Sequence, residues 1–108
     1  MTSDMGALIV ITTVPDAFLA VKISDALLQK SFAACVHVLP VGQSHYRWQG
    51  KIEHGAEITL IIKSSRHRYA ELEAEIKRLH PYDVPEILAL PVETGLAAYL
   101  DWIANETK

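Results

Sequence analysis

The 108-residue sequence has a single cysteine, Cys35, so no internal disulfide can staple it, which fits a reducing compartment. It has no run of Lys or Arg. Ten basic residues stand against thirteen acidic ones, and a net charge of -3 is the reverse of what affinity for phosphate backbones requires. The five glycines are scattered at Gly6, Gly42, Gly50, Gly55 and Gly95, so no phosphate-cradling loop is present. A nucleophile elbow, a His-Glu-x-x-His helix and a paired-cysteine knuckle are also missing. The longest apolar runs, ALIVIT and ITLII, are too short to span a bilayer. The opening MTSDM lacks the basic-then-apolar pattern of a secretory signal. The expectation is a cytoplasmic, non-enzymatic protein that binds neither nucleic acid nor membrane.

What is present is half hydrophobic and about a fifth charged, the balance of one globular domain able to bury a core. Residues 7–14 (ALIVITTV) are continuously apolar and β-branched, which predicts a buried strand. Pro15 and Asp16 suit a helix start, and Ala20, Ile23 and Leu27 then share one face up to Lys30. Strands are predicted at 34–39 (ACVHVL) and 44–49 (SHYRWQ), interrupted by Pro40 and Gly42. Tyr46 and Trp48 lie on one side of the second, His45 and Arg47 on the other.

Gly50 marks a turn; the chain returns through 51–53, and a separate buried strand follows Gly55 at 57–63 (EITLIIK). Ser64 or Ser65 caps a helix with Tyr69, Leu72, Ile76 and Leu79 on its apolar stripe and a Glu73–Lys77 pair outside. A strand at 86–92 and a helix at 95–104, with Leu96, Tyr99, Leu100 and Ile103 inward, complete the chain. The domain is expected over 7–104, with a flexible N-terminus at 1–6 and a tail at 105–108.

The order β-α-β-β-α-β plus a terminal helix predicts an α+β, ferredoxin-like sandwich with both main helices on one sheet face. Strands 7–14 and 57–63 are nevertheless apolar at almost every position, where a sheet with one wet face should alternate. Self-association would cover the second face.

Candidate chemistry is sparse. Cys35 and His37 share a strand face, but two ligands on one strand do not close a metal site, and Cys35 reads as a small buried hydrophobe. His54 and His67 read as solvated, and His45 lies on the hairpin. The stretch HPYDVPE at 80–86 is a sound helix stop: His80 in the last turn, Pro81 ending it, and Pro85 favouring extended backbone at Val84. Tyr82 and Glu86 are not required by that account. An imidazole, a phenol and a carboxylate at a rigid turn suit a metal or a small polar ligand.

The motifs AACVHVLPV (33–41), HYRWQGKIE (45–53), LIIKSS (60–65), HPYDVPEILALPV (80–92) and YLDWI (99–103), in this order and spacing, resemble the CutA family of divalent-cation tolerance proteins. The resemblance implies a ferredoxin-like subunit in a homotrimer whose long hairpin strands pair across subunits. It implies that Tyr46, Trp48, Lys63, His80, Tyr82, Glu86 and Trp102 lie around inter-subunit clefts. It also implies a role in copper tolerance or homeostasis, with Cu²⁺ or another divalent cation bound near His80 and Glu86 and no obligatory cofactor. A copper-binding arrangement in bacterial relatives resembles a first-strand cysteine and two adjacent histidines before Pro-Tyr. Here Thr12 and Leu79 stand at two of those positions, and only His80 remains. The alternative reading is a PII-like sensor holding a small molecule in the cleft between subunits.

Overall fold

The computed structural model describes residues 6–108. Its elements are β1 (Ala7–Val14), α1 (Ala17–Gln29), β2 (Cys35–Val38), β3 (Gly42–Trp48), β4 (Lys51–Ser65), α2 (Tyr69–Leu79), β5 (Ile87–Pro91) and α3 (Ala97–Glu106), with a 3₁₀ turn at Arg66–Arg68. Among the described residues the sheet is antiparallel throughout, in the order β2-β4-β1-β5, and β3 pairs with β4 off this path. Among the described residues no helix is long and apolar enough to cross a membrane.

Burial alternates strictly along β1 and the inner half of β4. Leu8, Val10 and Val14 of β1 and Ile58, Leu60 and Ile62 of β4 face α1 and α2, where they meet Leu19, Ala20, Ile23, Leu27, Leu72 and Ile76. The helices form where the apolar spacing predicts. The helix start differs in detail: Pro15 precedes the helix instead of opening it, and Asp16 is the cap, its Oδ1 accepting from the Leu19 N–H at 2.8 Å. Ser64 and Ser65 remain in β4, and α2 starts after the 3₁₀ turn.

One long strand replaces the two predicted on either side of Gly55. β4 runs unbroken because Gly55 pairs with Ser44, so the hairpin ladder continues through it. Trp48 pairs with Lys51, and Gln49 and Gly50 between them have φ of 51° and 79°, the left-handed pair that a two-residue hairpin turn requires. The seven rungs of this hairpin project beyond the main sheet by about 24 Å, which accounts for overall dimensions of 45 × 25 × 23 Å.

The face opposite α1 and α2 carries aligned rows. Cys35, Lys63, Ile9 and Leu90 form one, and His37, Ile61, Ile11 and Leu88 the next. Leu88 and Leu90 are 58% and 50% exposed. α3 meets the far end of this face, where the Thr107 hydroxyl donates to the Ile103 carbonyl at 2.8 Å and accepts from Ser65 Oγ at 3.0 Å. Within the expected tail at 105–108, α3 reaches Glu106, and Thr107 is buried, its carbonyl accepting from Arg68 Nε. Of the expected N-terminal segment, residues 1–5 lie outside the described residues, and the Gly6 carbonyl accepts from the Arg66 N–H. Leu96 and Tyr99, expected inward, are exposed, while Ile103 is buried.

The predicted Glu73–Lys77 pair does not form; Glu73 instead accepts from the Tyr69 hydroxyl at 2.9 Å. The ion pairs that matter converge on the buried Glu75. Arg78 donates to it from α2 at 2.7 Å and Lys30, just past α1, at 2.9 Å. Hydrogen bonds from Arg78 and then Lys30 hold the Glu75 carboxyl down to about 2, against an ordinary 4.5. A lowered folded-state value stabilises the fold above pH 4.5, and this contribution disappears as pH falls towards 2. Both cations are solvent-exposed, so screening limits the effect to about 1–2 kcal/mol. Urea denaturation of Glu75→Gln should show that loss at pH 7 and converge with the parent chain near pH 2.

Candidate functional site

A cavity of about 520 Å³ opens where the projecting hairpin leaves the sheet. Register places Ser44, Tyr46 and Trp48 of β3 on the same face as Glu57 of β4. That face continues along β4 into the uncovered rows of Ile61 and Lys63. The turn after α2 supplies the other wall with Tyr82, Asp83, Val84 and Glu86.

His80 positions that wall. It terminates α2, with its own N–H bonded to the Ile76 carbonyl. Pro81 follows, and the imidazole turns inward to 7% exposure. Nε2 lies 2.7 Å from the Thr13 carbonyl oxygen, which can only accept, so Nε2 carries the proton. Nδ1 accepts from the Tyr82 N–H at 3.2 Å. The ring thus ties β1 to the turn, and the Tyr82 ring packs against it with centroids 4.7 Å apart.

Tyr82 in turn reaches across the cavity and donates its hydroxyl to Glu57 Oε2 at 3.0 Å. Ser44 donates to the other oxygen, Oε1, at 2.6 Å. Partial burial, the bond to Glu57 and the nearby negative charge push the Tyr82 phenol up to about 12, so it remains a donor at neutral pH. Three carboxylates, the rings of Tyr46, Trp48 and Tyr82, and His45 line one open cleft.

Of the residues expected at the site, Tyr46, Trp48, Tyr82 and Glu86 come together here. Lys63 and Trp102 stand apart from this cavity within the chain: Lys63 lies in the row with Cys35 and Ile9, and Trp102 stacks on Tyr99 of α3. His80 is behind the wall rather than in it, and both its ring nitrogens are engaged. Among the described residues, no three His, Cys, Asp or Glu side chains converge on a point where an ion could sit. Thr12 is fully buried on the helix side of β1, its hydroxyl without a hydrogen-bond partner among the described residues, and Leu79 packs against the core.

Glu57, Ser44 and the Thr13 carbonyl were not singled out by sequence reasoning. The available signal for Glu57 was a lone carboxylate opening an otherwise apolar strand.

The CutA1 divalent ion tolerance protein family matches residues 8–106. The divalent-cation tolerance protein CutA of Thermus thermophilus is 42% identical over 99 residues, which cover 92% of this chain and 96% of that protein. The solved structure of the T. thermophilus divalent cation tolerance protein superposes with a TM-score of 0.93 at 41% identity, covering 94% of this chain and 99% of the other. A CutA from Archaeoglobus fulgidus, described as a periplasmic divalent cation tolerance protein, gives a TM-score of 0.91 at 36% identity over 94% and 99% of the two chains. The chain belongs to the CutA1 divalent ion tolerance family.

Proposed function

We propose that this protein acts in divalent-cation tolerance, copper included, as a non-enzymatic homotrimer that binds metal weakly beside the cleft between subunits. The observation that carries this reading is the uncovered sheet face. Ile9, Ile11, Ile61, Leu88 and Leu90 form a contiguous apolar surface with no layer of the described residues over its centre. The face runs into the cavity of Tyr46, Trp48 and Tyr82, so association across it brings a second subunit to the cleft mouth. The strand order β2-β4-β1-β5 with two helices on one side supports the ferredoxin-like assignment. Association also offers Lys63 and Trp102, remote from the cavity within one chain, a route to it from a neighbour.

Weak binding follows from the ligands. Glu86 offers an exposed carboxylate, but an ion at His80 must first displace the Thr13 carbonyl or the Tyr82 amide. A borderline ion such as Cu²⁺ accepts this mixed imidazole and carboxylate set. The cytoplasm is proposed as its location on the single cysteine, half-buried on β2, although the A. fulgidus relative is described as periplasmic.

Calorimetric titration of Cu²⁺ and Zn²⁺ into the parent chain and Glu86→Gln tests the metal reading. Loss of one carboxylate ligand should weaken the cleft event by about tenfold. If metals produce no heat while a metabolite raises the melting temperature, the PII-like sensor reading replaces it. That alternative draws support from the aromatic walls of Trp48 and Tyr82, which suit stacking on a planar ligand.

A further inference from the structure

We propose that His45 and His54 form a divalent-cation site of their own on the projecting hairpin. The two histidines are direct partners in the β3–β4 register. Their ring centroids are 5.5 Å apart, with planes inclined at 35°. An ion bound by imidazole lies about 2.0–2.1 Å from the nitrogen, hence roughly 3.2 Å from the ring centre. Two rings disposed at roughly 90–120° around one ion then have centres about 4.5–5.5 Å apart. The observed separation falls at the end of that range, so side-chain rotation alone can aim one nitrogen of each ring at a common ion.

The pair differs from Cys35 and His37, which share one strand and stand two residues apart. Residues at that spacing are separated by about 7 Å along the strand, whereas directly opposed cross-strand side chains start about 5 Å apart at Cβ. Both histidines are exposed in the single subunit, on the hairpin face opposite Tyr46 and Trp48, so an ion reaches them there from solvent and water fills its remaining positions. Their neighbours in the adjacent rows of that hairpin face are Gln43 and Ala56 on one side and Arg47 and Ile52 on the other. Only Arg47 is charged, and its exposed side chain is screened by water. Paired neutral imidazoles with water select Cu²⁺ over Ni²⁺ and Zn²⁺ by the usual affinity order. The sequence alone does not reveal this pair, because nine positions separate the two residues until the turn at Gln49 and Gly50 sets the register.

The site rests on the divalent-cation reading of the protein; His45 also borders the cleft that holds Glu86, so the test must separate the histidine pair from that carboxylate. The test is calorimetric titration of Cu²⁺ into the full chain, with electron paramagnetic resonance at one equivalent to count coupled nitrogens. The parent chain should show an event tighter than the cleft's, with two imidazole nitrogens on copper. Either His45→Ala or His54→Ala should weaken it at least tenfold, and the double variant little further, because the two ligands act as one chelate. If an alanine variant lowers the metal-free melting temperature, His45→Gln and His54→Gln repeat the test at closer side-chain size. A tight event that survives both histidine substitutions but is lost in Glu86→Gln sinks the pair and leaves the cleft reading standing. No saturable Cu²⁺ binding by the parent chain contradicts both.

Discussion

Leu88→Asp should break the proposed trimer into single chains while leaving each chain folded. Leu88 lies at the edge of the row His37, Ile61, Ile11 and Leu88, more than half exposed in the isolated subunit. A carboxylate there is fully solvated as long as the face is open, so the subunit loses little. Once the face is closed by another copy, the same carboxylate is buried against leucine and isoleucine, with Ile11 as its direct cross-strand partner. An uncompensated buried charge costs about 3–5 kcal/mol. In a closed symmetric assembly the substitution recurs in every interface, so the penalties accumulate. Size-exclusion chromatography with light scattering should report the mass of one chain, and far-UV circular dichroism should retain the native spectrum. Full-sized assemblies from Leu88→Asp would mean that the sheet face is not where subunits meet.

His80→Ala is expected to cost about 2–4 kcal/mol of folding stability. The substitution leaves the Thr13 carbonyl and the Tyr82 N–H without their partner at a site that water barely reaches. Each orphaned group costs about 1–3 kcal/mol, and the vacated ring volume adds to this. The consequence extends to the cleft, because Tyr82 loses both its backbone anchor and the ring it packs against. Its hydroxyl is then less firmly held over Glu57. Urea denaturation should show a lower midpoint with an unchanged slope. His80→Asn, which can still meet one partner, should recover part of the loss. A change below 1 kcal/mol would show that the histidine is not the post on which this corner stands.

The strands and helices were legible wherever apolar periodicity was strong. The inward residues of α1, Ala20, Ile23 and Leu27, lie where a 3.6-residue period puts them. The excess apolar character of β1 and β4 was also readable, and the rows of Ile9, Ile11 and Ile61 on the second face are its structural form. What failed was local and polar. Gly55 reads as a break, yet cross-strand pairing with Ser44 carries the strand through.

Glu75 looks like one more surface glutamate of a charged helix. It is buried and bonded to Lys30, forty-five residues earlier in the chain. The site divides in the same way. Tyr46, Trp48, Tyr82 and Glu86 carried a family signature, whereas Glu57 and the backbone oxygen of Thr13 acquire their roles only when the fold brings Tyr82 and His80 to them. No one-dimensional pattern encodes a carbonyl's partner sixty-seven residues away.

The central claim is that one subunit exposes more apolar sheet than its own helices can cover, so copies must close that face and create the cleft mouth. Sedimentation velocity of the parent chain at low micromolar concentration tests it most directly. The account predicts one boundary at three times the mass of the chain, persisting on dilution. A folded species of single-chain mass at that concentration would contradict it.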